Sequence, residues 1–387
     1  MAMPESACAS APTPATLAPQ TEAELSAQVA QCHASARALE IAGGGTRTRR
    51  AAVPAATQLT TSAISGVVAY EPGELTLIAR AGTPLDQIEQ LLAAQGQALA
   101  FEPMDHRVLL GSNGTPTLGG MVAANISGPR RLQAGACRDH LLGVRFVDGR
   151  GRVIKNGGRV MKNVTGMDLA KLMCGANGTL GILTEVALKA LPMAESQQTL
   201  AFAGVTPDAA VGIFSAALAT PFEVSGAAFH DGTAWLRIEG LTRQVAYRRE
   251  RLSALLRDHA IEIVDETASR QLWRDLRDVR HFAGSDAAVW RIHVKPTDAP
   301  AVLKALDMLG GQASLDWGGG LIWYAGNAAA AAVRQAAGAG VAVPVRPAPG
   351  TDLPPHPPQA PGVAALTAAI RRTFDPAGIL NPGQMGS

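Results

Sequence analysis

The hydrophobic positions of the chain follow two different patterns, and the change lies near residue 195. Before it, short apolar strand patterns such as Leu39–Ile41 and Leu75–Ala81 are separated by glycine-rich turns. After it, strands and helices alternate, and Val224–His230 and Thr233–Glu239 flank an Asp-Gly turn. Locally connected strands and helices are typical of an α+β fold. The pattern therefore predicts an α+β protein with a domain boundary near residue 195.

Apolar periodicity predicts the individual elements within each half. Thr21 precedes a helical pattern and Glu24 follows it by three residues, which is the arrangement of a capped helix N-terminus. An Asp-Gly turn at Asp148 indicates a hairpin. Helices are predicted at Thr21–Ala38, Thr83–Gln95, Pro207–Leu218, Arg243–His259, Ala268–Phe282 and Val363–Phe374, and further strands at Ser65–Tyr70, Leu141–Val147, Arg152–Lys155, Gly181–Leu191, Thr199–Val205, Ile261–Val264, Val289–Val294 and Leu321–Tyr324.

Composition divides the chain further. Residues 1–20 are rich in Ala, Pro, Ser and Thr, which predicts a disordered tail because such a segment has too few large apolar side chains to form a core. Prolines are dense between residues 343 and 362, which predicts an exposed linker. The sequence thus predicts a first domain at 21–195, a second at 196–342 and a C-terminal segment at 363–387.

Charge and cysteine content exclude several classes of protein. The formal net charge is +2 without long charged runs, so neither nucleic acid nor an acidic membrane surface is an expected partner. Cys8, Cys32, Cys137 and Cys174 form no Cys-x-x-Cys pair, which argues against an iron–sulfur cluster within this chain. No apolar run reaches the ~18–20 residues of a membrane span. We expect a cytoplasmic protein that reaches the inner face of the cell membrane only through partners.

Three glycine clusters, in residues 43–45, 111–120 and 175–181, carry the strongest chemical signal. Consecutive glycines let backbone N–H groups approach an anion because no Cβ blocks the way, so two such loops can hold a diphosphate between them. A Rossmann nucleotide site is not indicated. The first cluster leads into an extended Ala/Pro/Thr segment, whereas the Rossmann fold requires a helix there.

Longer motifs occur at Val68–Thr76, Gly128–Arg131, Gly135–Gly143, Gly157–Leu169 and Phe374–Gly383. At these motifs the chain resembles the FAD-binding E subunit of bacterial glycolate oxidase, a family within the superfamily of p-cresol methylhydroxylase (PCMH) and vanillyl-alcohol oxidase. The resemblance runs from about residue 20 to the end. It implies a two-subdomain PCMH-type FAD-binding domain, followed by an α+β cap domain and a C-terminal segment that returns to the flavin.

The resemblance also implies which residues contact FAD. The first two glycine loops would hold the diphosphate, the third would pass the flavin ring, and the C-terminal Asn381 would return to it. Two residues depart from the family pattern, since Asn177 stands where relatives often carry Glu and Met167 where Tyr is common. The implied FAD-binding residues are Gly43, Gly44, Gly45, Thr46, Ser112, Gly114, Thr115, Gly119, Gly120, Asn125, Gly128, Gly178, Thr179, Gly181, Ile182 and Asn381.

Non-covalent FAD is expected. Some relatives attach the cofactor through His or Cys, but no His lies in residues 34–105, and His106 and Cys137 are interpreted as ordinary loop or core residues. Metal-dependent relatives carry a Gly-His-x-Gly-Asp-Gly-Asn-x-His stretch that is missing here, so no metal is expected. Arg277, Arg280 and His281, on one predicted helix, are candidates for binding a small carboxylate and for accepting its hydroxyl proton.

Three functions remain open from the sequence. The resemblance implies an FAD subunit of a multi-subunit complex that oxidises glycolate, a small 2-hydroxy acid, to glyoxylate, with a larger FAD subunit and an iron–sulfur subunit as partners. The missing histidine stretch favours electron relay or support of the larger subunit. One alternative is a stand-alone FAD oxidoreductase of the same fold that acts on another 2-hydroxy acid or reduces an enolpyruvyl sugar. The other is a structural subunit without a redox role, against which the glycine loops argue.

Overall fold

The computed structural model describes residues 16–47, 56–158, 166–349 and 356–385. Helices and strands mix throughout these ranges, so the predicted α+β class is confirmed. None of the helices described is both long and apolar enough to cross a membrane. The α-helices are Glu22–Ala34, Leu85–Ala93, Arg107–Leu110, Leu118–Ala123, Arg131–Ala134, Cys137–His140, Leu169–Met173, Pro207–Leu218, Thr242–Leu255, Glu266–Arg277, Ala299–Asp307, Ala330–Ala336 and Pro361–Phe374.

Two main sheets build the first half of the chain. The three-stranded parallel sheet has the order Thr16–Leu17, Thr57–Thr60, Leu39–Ala42. The antiparallel sheet has five strands in the order Val67–Glu71, Thr76–Arg80, Ile182–Lys189, Leu141–Val147, Val153–Gly157, and a short pair joins Gln97–Ala98 to Leu191–Pro192. The first glycine cluster directly follows Leu39–Ala42 and the third directly precedes Ile182–Lys189, so the ends of two strands fix both clusters.

An eight-stranded antiparallel sheet forms the second half. Its order is Glu262–Val264, Ser196–Ala203, Thr233–Gly240, Val224–His230, Gln312–Asp316, Leu321–Ala325, Val289–His293, Val341–Arg346. The two halves are not separate bodies, because Val289, Leu321 and Trp323 of this sheet are buried in the same hydrophobic cluster as Phe101 and Leu109 of the first half. This shared core holds one face of the large sheet against the first half.

One predicted helix is shorter than expected. The sequence predicts a helix through Phe282, but the helix ends at Arg277, and Val279 adopts a left-handed backbone with φ of 51°. A 3-10 turn then holds Arg280–Phe282. Positive φ lies outside the right-handed helical region, so the helix cannot continue through Val279. Arg280 therefore does not lie on the helical face that carries Arg277.

Both ends of the chain contain structure that composition alone does not indicate. Thr16 and Leu17, within the predicted tail, pair with a strand, while residues 1–15 lie outside the described residues. Residues 343–346, within the predicted linker, belong to the edge strand Val341–Arg346. Pro344 is tolerated there because an edge strand has one side without ladder hydrogen bonds. The last helix begins at Pro361, also within the linker range.

Candidate functional site

A cavity of about 920 Å³ lies between the two halves, and all three glycine clusters reach its wall. This volume is near the upper end of the range for ligand and cofactor sites. Ser112, Gly114, Thr115, Gly128, Thr179 and Gly181 lie outside the lining. The residues implied by the resemblance that do line it are Gly43, Gly44, Gly45, Thr46, Gly119, Gly120, Asn125, Gly178, Ile182 and Asn381.

The first two glycine loops touch each other through their backbones. Thr115 N–H donates to Gly44 O at 3.1 Å, and Ser112 Oγ donates to Thr46 O at 2.8 Å. A Cβ on Gly44 would lie 1.6 Å from Thr115 O, and one on Gly114 would lie 1.9 Å from Gly44 O. Glycine is therefore required at these positions for contact between the loops, and the residues outside the lining support those inside it.

The edge formed by these loops suits a diphosphate. The backbone N–H groups of residues 43–46 donate no hydrogen bond to any described residue. Arg47 Nη2 donates to Gly120 O at 3.2 Å, which carries a guanidinium from the first loop to the second. Burial lowers the pKa of Arg47 to about 10, so the group is still charged at neutral pH. Free N–H donors beside a fixed cation are the chemistry that binds phosphate oxygens, so the residues present fit FAD.

Asn381 joins the C-terminal segment to two other parts of the wall. Its Oδ1 accepts the Ile41 N–H at 2.7 Å, and its Nδ2 donates to Asn177 O at 2.9 Å. A Cβ on Gly178, whose φ is +73°, would lie 2.8 Å from Asn381 Nδ2. The departure at Asn177 falls in this contact, whereas Met167, the other departure, is exposed and does not line the cavity.

The remaining residues of the implied set support the wall from behind. A Cβ on Gly128 would lie 2.2 Å from Glu102 O, and one on Gly181 would lie 2.5 Å from Phe146 Cδ2. Thr179 Oγ1 donates to a carbonyl three residues earlier at 2.7 Å. Of the family motif Gly157–Leu169, residues 159–165 lie outside the described residues.

The candidates for carboxylate binding lie away from the cavity lining. Arg280 Nε pairs with Asp275 Oδ1 at 3.0 Å, and Arg277 forms two hydrogen bonds to the Asp278 carboxylate. His281 Nε2 is 2.9 Å from a serine hydroxyl, and burial lowers its pKa to about 3. The early end of the helix at Arg277 changes the direction of the residues that follow it. The structure therefore does not bring these side chains to the glycine loops.

Arg291 and His293, which were not predicted as site residues, line the cavity instead, together with His106. Arg291 and His293 alternate along the strand Val289–His293, so both side chains point to the same face. Burial and the neighbouring Arg291 lower the pKa of His293 to about 4, and burial with Arg47 and Arg291 lowers that of His106 to about 3. Both imidazoles are thus neutral at pH 7. The sequence does carry an indication of this pair, because Arg291 and His293 are polar residues at alternate positions of an otherwise apolar strand.

The described residues show no evident metal site, and one of the two residues considered for covalent attachment lies in the cavity wall. Among the described residues, no three His, Cys, Asp or Glu side chains converge in a group that could hold a metal ion. Cys137 is fully buried and does not line the cavity, whereas His106 does. His106 therefore lies in the cavity wall, and its interpretation as a residue that does not attach FAD stays a prediction.

Comparisons with known proteins agree with the geometry. Residues 13–157, which include both of the loops in contact, match the family described as FAD binding domain. The glycolate oxidase subunit GlcE of Escherichia coli (strain K12) is 34% identical over 340 residues, which cover 83% of this chain and 84% of that protein. The glycolate oxidase subunit GlcD of Bacillus subtilis (strain 168) is 32% identical over 130 residues, 34% of this chain and 24% of that protein.

A more distant relative and a solved structure extend the comparison. The D-2-hydroxyglutarate dehydrogenase of Xanthomonas citri pv. viticola is 32% identical over 181 residues, covering 46% of this chain and 37% of that protein. The solved structure of an alkyldihydroxyacetonephosphate synthase superposes with a TM-score of 0.70 at 16% identity, over 95% of this chain and 76% of the other. That similarity establishes the fold alone.

Proposed function

The chain belongs to the family of the glycolate oxidase subunit GlcE, and on this premise we propose that it is the FAD-binding subunit of a multi-subunit complex that oxidises glycolate to glyoxylate. Its cofactor is FAD, and it is an FAD-dependent oxidoreductase. The observation that carries the proposal is the cavity wall, where two glycine loops are in contact and the N–H groups of residues 43–46, which have no partner among the described residues, lie beside Arg47. A structural subunit without a cofactor would not require this arrangement.

The residues of this chain supply binding and orientation. The N–H groups of residues 43–46 and the Arg47 guanidinium would hold the diphosphate of FAD. Asn381 would fix the third glycine loop against the strand before the first, so that the two ends of the cofactor site keep their spacing. The strands Val289–His293 and Val341–Arg346 of the second half contribute a further part of the cavity wall. When bound, FAD supplies the capacity to accept two electrons from a C–H bond and pass them on.

We propose a larger FAD subunit and an iron–sulfur subunit as partners of this chain. We also propose that the chain is located in the cytoplasm, or at the inner face of the cell membrane when these partners bind there. The names of the relatives support more than one subunit, because GlcE and GlcD are both named as subunits of glycolate oxidase. The missing histidine stretch supports a division of labour in which the larger subunit carries most of the oxidation and this chain relays electrons or supports it.

Co-expression with the two partner subunits tests the proposal. The expected result is a complex that co-purifies through a tag on this chain, contains flavin and iron, and reduces a dye with glycolate. We expect this chain purified by itself to bind FAD but to oxidise glycolate very poorly. A chain that neither binds FAD nor associates with the partners would refute the proposal. Rapid reduction of its own flavin by glycolate would refute only the division of labour.

The same complex tests the candidates placed on the predicted helix. Arg280→Ala and His281→Ala are expected to leave glycolate oxidation unchanged, because neither residue lines the cavity. If either variant loses glycolate oxidation while both flavins stay bound and the complex stays assembled, the substituted residue belongs to the substrate site.

A further inference from the structure

The wall contributed by the second half carries polar groups that the proposed cofactor contacts do not use. Trp290 and Ile292 point into the core of the second half, whereas Arg291 and His293 point to the cavity. Arg291 Nε and His293 Nε2 are shielded from solvent and have no hydrogen-bond partner among the described residues. Burial of a polar group without a partner is unfavourable. Because Arg291 and His293 line the cavity, a ligand bound there is placed to supply the missing partners.

The charges around this wall favour an anion. Arg291 and Arg131 lie over the ring of Trp317, with their guanidinium carbons 5.3 and 4.5 Å from its centroid. His293 stacks beside the same ring at 5.5 Å between centroids. The acidic group that acts on Arg291 is Asp316, whose side chain is already held by the Trp317 N–H at 2.7 Å. Asp139 acts on Arg131, whereas Asp316 is shared between Arg291 and Arg237, so the charge of Arg291 is incompletely balanced and a further negative charge can be accommodated.

We infer that this wall binds a small carboxylate anion, with Arg291 donating to the carboxylate oxygens and His293 hydrogen-bonding to a hydroxyl on the adjacent carbon. The planar fork of arginine matches two carboxylate oxygens. An uncharged imidazole can accept a hydrogen bond from a hydroxyl, as an imidazolium cannot. The inference rests on the proposed function, because it takes FAD to occupy the part of the cavity at the glycine loops. The FAD diphosphate is a second anion that the cavity would hold, and Arg47, which lies at the glycine loops, is the arginine that we assign to it.

Oxalate, a small carboxylate that cannot be oxidised by hydride loss, is a suitable probe of the FAD-loaded chain. Titration is followed by the flavin absorbance and by calorimetry. Oxalate is expected to bind saturably, while the uncharged glycolamide is expected not to bind. Arg291→Met should weaken oxalate binding by about tenfold or more, since it removes charge-assisted hydrogen bonds. His293→Leu should also weaken binding, because a neutral imidazole can donate its N–H to the second carboxylate of oxalate. Both variants should keep their FAD.

The matched control is Arg280→Met, which removes an arginine that lies outside the cavity and pairs with Asp275. It is expected to bind oxalate as the unaltered chain does. Arg291→Lys provides a second variant if Arg291→Met does not fold, because it keeps the charge but loses the fork; weaker oxalate binding with FAD retained supports the inference.

The outcomes separate this inference from the proposed function. Failure of the unaltered chain to bind FAD counts against the proposed function. Normal FAD content with no oxalate binding, or with equal binding by the Arg291 variants, overturns the inference alone. Loss of FAD from both Arg291 variants would assign Arg291 to the diphosphate and overturn it as well.

Discussion

Arg237 of the second half and Glu102 of the first half form two parallel hydrogen bonds, from Nη1 to Oε1 at 2.9 Å and from Nη2 to Oε2 at 2.8 Å. Glu102 also accepts the Arg130 N–H at 3.0 Å, and the Arg237 guanidinium lies over the ring of Trp273. Burial opposes ionisation of Glu102, but Arg237 outweighs it and holds the pKa of Glu102 below its ordinary value. A bidentate ion pair therefore joins the two halves beside the shared core.

Neutralising this ion pair should destabilise the protein. Glu102→Gln leaves the Arg237 guanidinium buried with only part of its partners. Breaking a fully buried pair costs about 3–5 kcal/mol, and we expect the lower end because Glu239 stays 3.2 Å from Arg237. Glu250→Gln is the control, because Glu250 is mostly exposed and surface pairs are worth about 0–1 kcal/mol. Denaturant unfolding of both variants measures the difference. Equal free energies of unfolding would contradict the importance of the pair.

Asp316 should make stability fall as pH rises. Burial raises its pKa from 3.8 to about 7, so between these values the folded protein holds a proton that the unfolded chain has released. The stability from this proton is present below pH 4 and is lost as pH rises through 7, with a slope of up to about 1.4 kcal/mol per pH unit.

Asp316→Asn removes that dependence while keeping an acceptor for the Trp317 N–H. Relative to the unaltered protein, the variant should gain stability steadily from pH 5 to pH 7. Unfolding curves at several pH values measure the gain, with the exposed Asp258→Asn as control. Parallel pH profiles for the protein and Asp316→Asn would show that Asp316 titrates normally.

FAD should leave the protein without breaking a covalent bond. Cys137 is fully buried outside the lining, and His106 is the one former attachment candidate in the wall. Acid precipitation or heating of the purified chain should release all of its flavin into solution. The flavin absorbance of supernatant and pellet measures the result. Flavin that stays with the pellet would establish a covalent link, which His106→Ala would then locate.

Gly44 should be essential for retaining the cofactor. A Cβ there would overlap Thr115 O, so Gly44→Ala must push the two loops apart and displace the N–H groups between them. We expect FAD content to fall about tenfold and stability to fall by about 1–3 kcal/mol, the range for overpacking. Gly73→Ala is the matched control, because a Cβ at Gly73 has open space around it. Normal FAD content in a folded Gly44→Ala protein would disprove the loop assignment.

Local patterns predicted much of the fold. The helix Pro207–Leu218 and the strand Val224–His230 occur with the predicted bounds, because a proline in the first helical turn and an Asp-Gly turn mark their ends in the sequence. The helices Ala299–Asp307 and Ala330–Ala336 and the strand Gln312–Asp316 were not predicted. Their alanine-rich or short apolar patterns are ambiguous without the sheet that they contact.

The site was predictable where chemistry is local and not where it depends on distant contacts. Glycine clusters indicate close backbone approach wherever they occur, so the loops could be located from the sequence. The position of Arg291 depends on how an eight-stranded sheet faces the first half, and no local pattern specifies that. The left-handed residue Val279 similarly determined where Arg280 points, although valine gives no signal for such a turn.

The hydrogen bonds of Asn381 also constrain when the cofactor site can be completed during synthesis. Ile41 and Gly43 leave the ribosome early, but the residue that fixes Ile41 to the third glycine loop lies 340 positions later. A nascent chain that has already folded both sheets still lacks this part of the cavity wall. We therefore predict that stable uptake of FAD is late and post-translational, and that a truncation before residue 381 would yield a protein that folds its sheets yet holds its flavin weakly.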